Sequence, residues 1–104
     1  MEKVSIIIPT FNEAERLPAC LDSIYSLDYP KESLEVIVVD NGSSDNTCLI
    51  AGRYPVTLLE NRSKNVSGLR NLGAKKSEGQ ILAFVDADCV VDCDWLKAAA
   101  LYFH

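Results

Sequence analysis

The sequence predicts an α/β domain built on an open, mainly parallel sheet with helices on both faces. Three observations carry that prediction. Short apolar runs alternate with helix-length segments along the whole chain. The runs over residues 4–8, 34–39 and 81–85 lack the polar alternation of a strand with one wet face, so they read as strands buried on both sides. Each of these runs stops abruptly at a cluster of polar or acidic residues. The 104 residues suit one domain, and an apolar content of 48% is enough for a core and too much for a disordered chain.

In chain order, residues 4–8 form a β-branched first strand stopped by Pro9. Asn12 is positioned to cap a helix over about 13–26, with Glu15 completing a capping box. Leu17, Cys20, Leu21 and Ile24 follow the spacing of one helical face, and Pro18 falls near the first turn, where proline is tolerated. After a loop over 28–33, the second strand ends at Asp40. Ser43, Ser44 and Asp45 are candidate caps for a short helix ending near Ala51 or Gly52. A third strand is expected over 56–59 and a third helix over about 66–77, closed by Gly79. The fourth strand is the 81–85 run. A last helix, capped by Asp92 or Asp94, contains Trp95, Leu96, Ala99 and Phe103.

The polar residues that matter lie where these strands end, and sheets of this kind bind ligands outside the carboxyl ends of their strands. Asp86 and Asp88 are separated only by Ala87. If the backbone stays extended, both side chains aim one way and form a hard-oxygen site for Mg²⁺ or Mn²⁺. For an isolated pair, two solvated turn carboxylates are the alternative. Asp40 could accept hydrogen bonds from a base or ribose, or could cap a turn at Asn41-Gly42. Arg70, next to Leu69, could face a base or phosphate, or could be a solvated helix charge. The chain has no Gly-x-Gly-x-x-Gly, no Walker lysine loop, no serine elbow and no internal histidine, which argues against dinucleotide binding, P-loop chemistry and acyl transfer.

A net charge of −5 argues against nucleic acid as a partner, although a metal could bridge the chain to a nucleotide. Cys20, Cys48, Cys89 and Cys93 do not follow zinc-ligand spacing. Cys20 and Cys48 sit among apolar residues, read as core fillers, and fit a reducing compartment. No signal-peptide pattern is present, and no apolar run approaches the ~20 residues that span a bilayer. The expectation is a cytoplasmic domain, with the full-length protein able to sit at the cytoplasmic face of a membrane. An unpaired edge on the last strand would favour self-association.

At these residues the sequence resembles the family 2 glycosyltransferases, inverting enzymes with the Rossmann-like GT-A fold. The matching segments are residues 4–13, 35–47, 68–73 and 79–88, which together span nearly the whole chain. The resemblance implies a metal-dependent nucleotide-sugar donor site, with a UDP-sugar favoured. Pro9, Thr10 and Asn12 would lie by the base and ribose, with Glu13 close to the ribose or diphosphate. Asp40 would hydrogen-bond uracil or another base, and Arg70 would approach the base or diphosphate. Asp86 would contact the ribose and the metal, and Asp88 would ligate Mn²⁺ or Mg²⁺.

Members of the family continue well past the Asp-x-Asp. Residues 1–104 are therefore expected to be a single nucleotide-diphospho-sugar-binding domain. The acceptor site (saccharide, lipid or protein) and the general base are expected beyond His104, so this chain alone is expected to bind donor without completing transfer. Asp92 and Asp94 lie too close to Asp88 to be assigned the base role. Two other readings compete: a non-catalytic nucleotide-binding or assembly module of the same fold, and a phospho-acceptor receiver domain. The receiver reading is opposed by the lack of a paired acidic cluster after the first strand.

Overall fold

A buried seven-residue strand, β1 (Val4–Thr10), is the spine of the sheet. The structure, a computed structural model, describes residues 2–62, 65–98 and 102–103. After β1 come α1 (Leu17–Tyr25), a single 3₁₀ turn (Lys31–Ser33), β2 (Leu34–Asp40) and α2 (Thr47–Ala51). Then follow β3 (Thr57–Glu60), α3 (Val66–Lys76), β4 (Ile81–Phe84), α4 (Trp95–Ala98) and β5 (Tyr102–Phe103). The spatial order is β3-β2-β1-β4-β5. The first four strands are parallel, as expected: Val4 is in register with Leu34 of β2 and with Ile81 of β4, and Ile37 with Thr57 of β3.

Side-chain alternation sorts these strands onto two cores. Val4, Ile6, Ile8, Val36, Val38 and Ala83 face α1, whose Leu17, Cys20, Leu21 and Ile24 are fully buried against them. Ile7, Ile37, Val39 and Leu82 face the other way, onto Leu69 of α3. Both faces are covered, which explains the absence of polar alternation in the sequence. Among the described residues no helix is long and apolar enough to cross a membrane.

The structure corrects several local expectations. Helix α1 starts at Leu17 rather than near Glu13, and its N-cap, Arg16, makes no side-chain capping bond. Asn12 does not cap it, because its side chain is engaged elsewhere. The Asn46 side chain makes no capping bond to α2, whereas Asp45, one of the expected caps, accepts from Thr47 N at the first position of the helix at 3.0 Å. Helix α3 is capped by Asn65, which accepts from Gly68 N at 2.7 Å, and ends at Ser77 rather than at Gly79. Gly79 instead donates its N–H to buried Ser5 Oγ at 2.8 Å, and Ser5 donates to Glu35 at 2.6 Å, tying the amino edge of the sheet together.

The last helix does not reach Phe103. It covers Trp95–Ala98, while Phe103 lies in β5, paired antiparallel to β4 through Ile81↔Phe103 and Leu82↔Tyr102. Ala99 falls outside the described residues. The outer edge of β4, expected to be unpaired, therefore has a partner over two residues. An unpaired backbone ladder is costly, and Tyr and Phe suit a pleated edge.

Helix α3 lies so close to the sheet that a Cβ on Gly73 would sit 2.5 Å from Ile7 Cγ2 and 3.2 Å from Val39 Cγ2. Gly73→Ala is expected to lower the urea-derived unfolding free energy by about 1–3 kcal/mol through overpacking. Gly52→Ala, where the added carbon would meet only ordinary contacts at 3.5 Å, should stay within about 0.5 kcal/mol of the parent protein.

Candidate functional site

The sheet runs outward in both directions from β1, towards β2 on one side and β4 on the other, and ligands of open α/β sheets bind at such a switch point. A cleft of about 280 Å³ opens there, at the carboxyl edge. Pro9, Thr10, Phe11 and Glu13 line it from the end of β1, Asn41 from the end of β2, Val66 and Leu69 from α3, and Asp86, Ala87 and Asp88 from beyond β4. Phe11 and Val66 are 55% and 49% exposed, so two large apolar side chains stand open in the cleft walls. A cleft with apolar walls and a few polar groups is the usual form of a small-molecule site.

The loops that frame the cleft hang from Asp40. Asp40 shares the strand face of Val36 and Val38 and is in register with Thr10, so its carboxylate points inward and is 1% exposed. Oδ1 accepts from Thr10 Oγ1 at 2.7 Å and from Ser43 Oγ at 2.6 Å, and Oδ2 accepts from Ser43 N at 2.7 Å. These bonds cap the turn in which Gly42 takes a φ of 75°, a conformation open to a residue without Cβ. Asp40 itself does not line the cleft; Asn41, the next residue, does.

Asn12 then stitches the loop after β1 to the loop after β2. Its φ of 52° is one that asparagine tolerates better than most residues. Its N–H donates to Ser43 Oγ at 2.8 Å, and its Oδ1 accepts from Ser44 N at 2.8 Å. Glu13 N donates to Thr47 Oγ1 at 2.9 Å, and Ala14 N to Asp45 Oδ2 at 3.2 Å. The hydroxyl of Thr47 donates to Asp45, a bond that holds the Asp45 carboxyl below its usual range.

On the other side of the cleft, β4 ends at Phe84, and the extended backbone does not persist to Asp88. Residues 86–89 form a turn closed by Cys89 N donating to Asp86 O at 3.0 Å. The turn still brings the carboxylates together: an oxygen from each of Asp86 and Asp88, and Cys89 Sγ, all lie within 4.8 Å of one another. Asp86 pairs with Arg70 at 3.3 Å, and Asp88 with Arg16 at 3.7 Å. Two exposed carboxylates at this spacing are a suitable donor set for a hard divalent cation whose remaining ligands are water or phosphate. Arg70 stacks over Phe84, 5.8 Å from the ring centroid, and its buried Nε has no hydrogen-bond partner among the described residues.

Sequence reasoning missed Phe11, Asn41, Val66, Leu69 and Arg16. The exposed Phe11 within an otherwise polar strand-end cluster was a readable signal for a binding wall. Nothing in the spacing linked Arg16 to Asp88. Cys20 is buried as expected, with Sγ 3.8 Å from Asp86 O, and burial, chiefly, pushes its thiol up to about 12. Cys48 is not a core filler: it is half-buried at the carboxyl edge and donates to Glu60 at 3.5 Å. Asp40, Cys48 and Glu60 form a second cluster whose ligand atoms lie within 4.8 Å of one another.

Residues 5–104 match the profile described as glycosyl transferase family 2. The chain is 43% identical over 100 residues to the glycosyltransferase AglE of Haloferax volcanii, which covers 90% of this chain and 33% of AglE. Among solved structures, Staphylococcus aureus TarS superposes with a TM-score of 0.86 at 31% identity, over 92% of this chain and 30% of that one. TarS in complex with UDP-GlcNAc superposes at 0.78 and 34% identity, over 92% of this chain and 29% of that one. The mannosyltransferase PcManGT of Pyrobaculum calidifontis, in complex with GDP-Man and Mn²⁺, superposes at 0.79 and 36% identity, over 84% of this chain and 28% of that one. The chain thus spans about a third of each of these proteins or less.

Burial raises the pKa of the Asp40 carboxyl, but the hydrogen bonds from Ser43 and Thr10 outweigh it and hold the group below its usual range. A depressed folded-state pKa gives stability that is present above the unfolded value of about 3.9 and is lost as pH falls through the folded value. Asp40→Asn should therefore cost about 1–3 kcal/mol at neutral pH. It should also flatten the acid limb of the urea-midpoint profile, followed by circular dichroism.

Proposed function

The chain belongs to glycosyl transferase family 2, and from that premise we propose that it is a donor-binding domain. It holds a nucleotide-diphosphate sugar, with a UDP-sugar favoured, for inverting transfer to an acceptor. The observation that carries the reading is the convergence of Asp86 and Asp88 on one side of a cleft walled by Phe11 and Val66 at the switch point of the sheet. The likeness to TarS in complex with UDP-GlcNAc, and to PcManGT in complex with GDP-Man and Mn²⁺, supports a nucleotide sugar as the ligand class.

In this reading Phe11 and Val66 cover the faces of the base, while Pro9, Thr10 and the Asn41 amide border its edge and the ribose. The Asn41 side chain can both donate and accept, so it can pair with a base edge that presents both functions. Asp40 and Asn12 are positioning residues: Asp40 fixes Thr10 and the Asn41–Ser43 turn, and Asn12 locks the two loops together. Glu13 lines the cleft wall and in this reading would lie close to the ribose or diphosphate.

Asp86 and Asp88 would hold the divalent ion, Mn²⁺ or Mg²⁺, with Arg70 fixing Asp86 from α3. An acceptor hydroxyl attacks the anomeric carbon from the face opposite the diphosphate, and the bond to the diphosphate breaks. Negative charge builds on the departing group, and fixed positive charge placed there before the reaction lowers the barrier. The bound ion supplies neutralisation of that charge. The general base and the acceptor site are assigned to sequence outside these 104 residues, consistent with the third of AglE that the chain spans.

Calorimetric titration with UDP, GDP and TDP, each with and without Mn²⁺, tests the reading. At least one diphosphate is expected to bind only with Mn²⁺, and Asp88→Asn should abolish that binding. Equal weak binding of all three without metal would contradict it. Phe11→Ala should weaken binding of the preferred nucleotide by about 1–3 kcal/mol, the range measured for loss of base–aromatic stacking.

A further inference from the structure

Each carboxylate of the Asp-x-Asp is met by an arginine from a different layer of the fold. Arg70 comes from α3 and reaches Asp86; Arg16 comes from the start of α1 and reaches Asp88. The two are not equivalent. Arg70 is stacked on Phe84 with its Nε buried, so its position is fixed by packing. Arg16 has a side chain 65% exposed, and Asp88 is its one ion-pair partner among the described residues. Arg16 also borders a polar pocket of about 350 Å³ together with Asn12, Glu13, Glu15 and Asp45. Glu13 is common to that pocket and to the cleft. The Arg16 guanidinium therefore stands at the seam between the cleft and its polar extension, facing the cation-binding carboxylate.

We propose that Arg16 is an exchangeable counter-ion that couples cation and diphosphate binding. It neutralises Asp88 while the site is empty and turns to the diphosphate when nucleotide and divalent ion arrive together. The inference rests on the donor-site reading and adds a residue and a coupling to it. An exposed pair at 3.7 Å is weak in water, so its loss is easily compensated. A guanidinium fork matches phosphate oxygens in a two-point contact that a carboxylate beside a bound cation cannot retain.

A cation arriving alone must displace Arg16 from Asp88. A nucleotide that offers Arg16 a better partner removes that competition. Cation and nucleotide then bind with positive coupling, and the coupling is reciprocal.

Removing the guanidinium should move the two affinities in opposite directions. In Arg16→Gln, Mn²⁺ alone should bind a few-fold more tightly, because Asp88 has lost its competing cation. The nucleoside diphosphate with Mn²⁺ should bind about tenfold more weakly, because a charge-assisted contact is gone. Arg16→Lys keeps the charge but not the fork, so its Mn²⁺ affinity should stay near the parent value while its nucleotide affinity falls.

The test measures free Mn²⁺ by electron paramagnetic resonance, without and with saturating UDP or GDP (whichever the parent protein binds), and nucleotide affinity by calorimetry. Opposite shifts in Arg16→Gln support the inference, since a purely structural role would weaken both affinities together. Unchanged affinities, or a parallel loss of both, overturn it while leaving the donor-site reading intact. Absence of metal-dependent nucleotide binding in the parent protein overturns that reading and this inference with it.

Discussion

A buried carboxylate at the end of β2 determines how the carboxyl edge of this sheet is built. Asp40 is 1% exposed, and removing a charge from water is costly unless it is hydrogen-bonded. Three hydrogen bonds from Thr10 and Ser43 meet that requirement and at the same time join two strand ends that are 30 residues apart in sequence. Once Ser43 is held, its Oγ accepts from Asn12 N, and Ser44 N donates to Asn12 Oδ1. Glu13 and Asn41 then reach the cleft from backbones that cannot move independently. The interaction belongs to packing and stability, but its consequence is that the loops lining the cleft are held together.

The other half of the site depends on a turn rather than on a strand. Alternation sends Ala83 and Val85 to the α1 core and Phe84 towards α3, and Asp86 continues the latter side to meet Arg70. The turn at 86–89 then swings Asp88 towards Arg16 at the start of α1. The Asp-x-Asp thus sits where the two helical layers meet and draws one cation from each, while Glu13 on the cleft wall adds a further carboxylate.

The architecture was legible because apolar runs without alternation require a sheet covered on both faces. The Asp86–Asp88 pair was legible for a different reason: two carboxylates separated by a single residue converge in a turn as well as in a strand. Asp40 shows where reading by motif stops. Its register with Thr10 and its parity with Val36 and Val38 turn it inward, so the polar residue of that strand end that lines the cleft is Asn41. Asn12 resembled a helix cap by spacing, yet it caps the neighbouring loop, a long-range contact that local patterns do not encode. Arg16 and Cys48 were hidden for the same reason, since their partners Asp88 and Glu60 are set by tertiary packing. The short antiparallel β5 competed with a helical pattern that ran through the same aromatic residues.

A metal-bound nucleotide at the carboxyl edge would lie against both the Asp40-anchored loops and the Asp-x-Asp turn. Amide resonances followed during addition of UDP and Mn²⁺ test that placement most directly. Paramagnetic broadening should centre on residues 86–89 and reach Arg16, and nucleotide-induced shifts should fall on Phe11, Asn41 and Val66. Shifts confined to the opposite edge, around Glu2, Tyr29 and Gln80, with the Asp86–Cys89 turn unaffected, would contradict it.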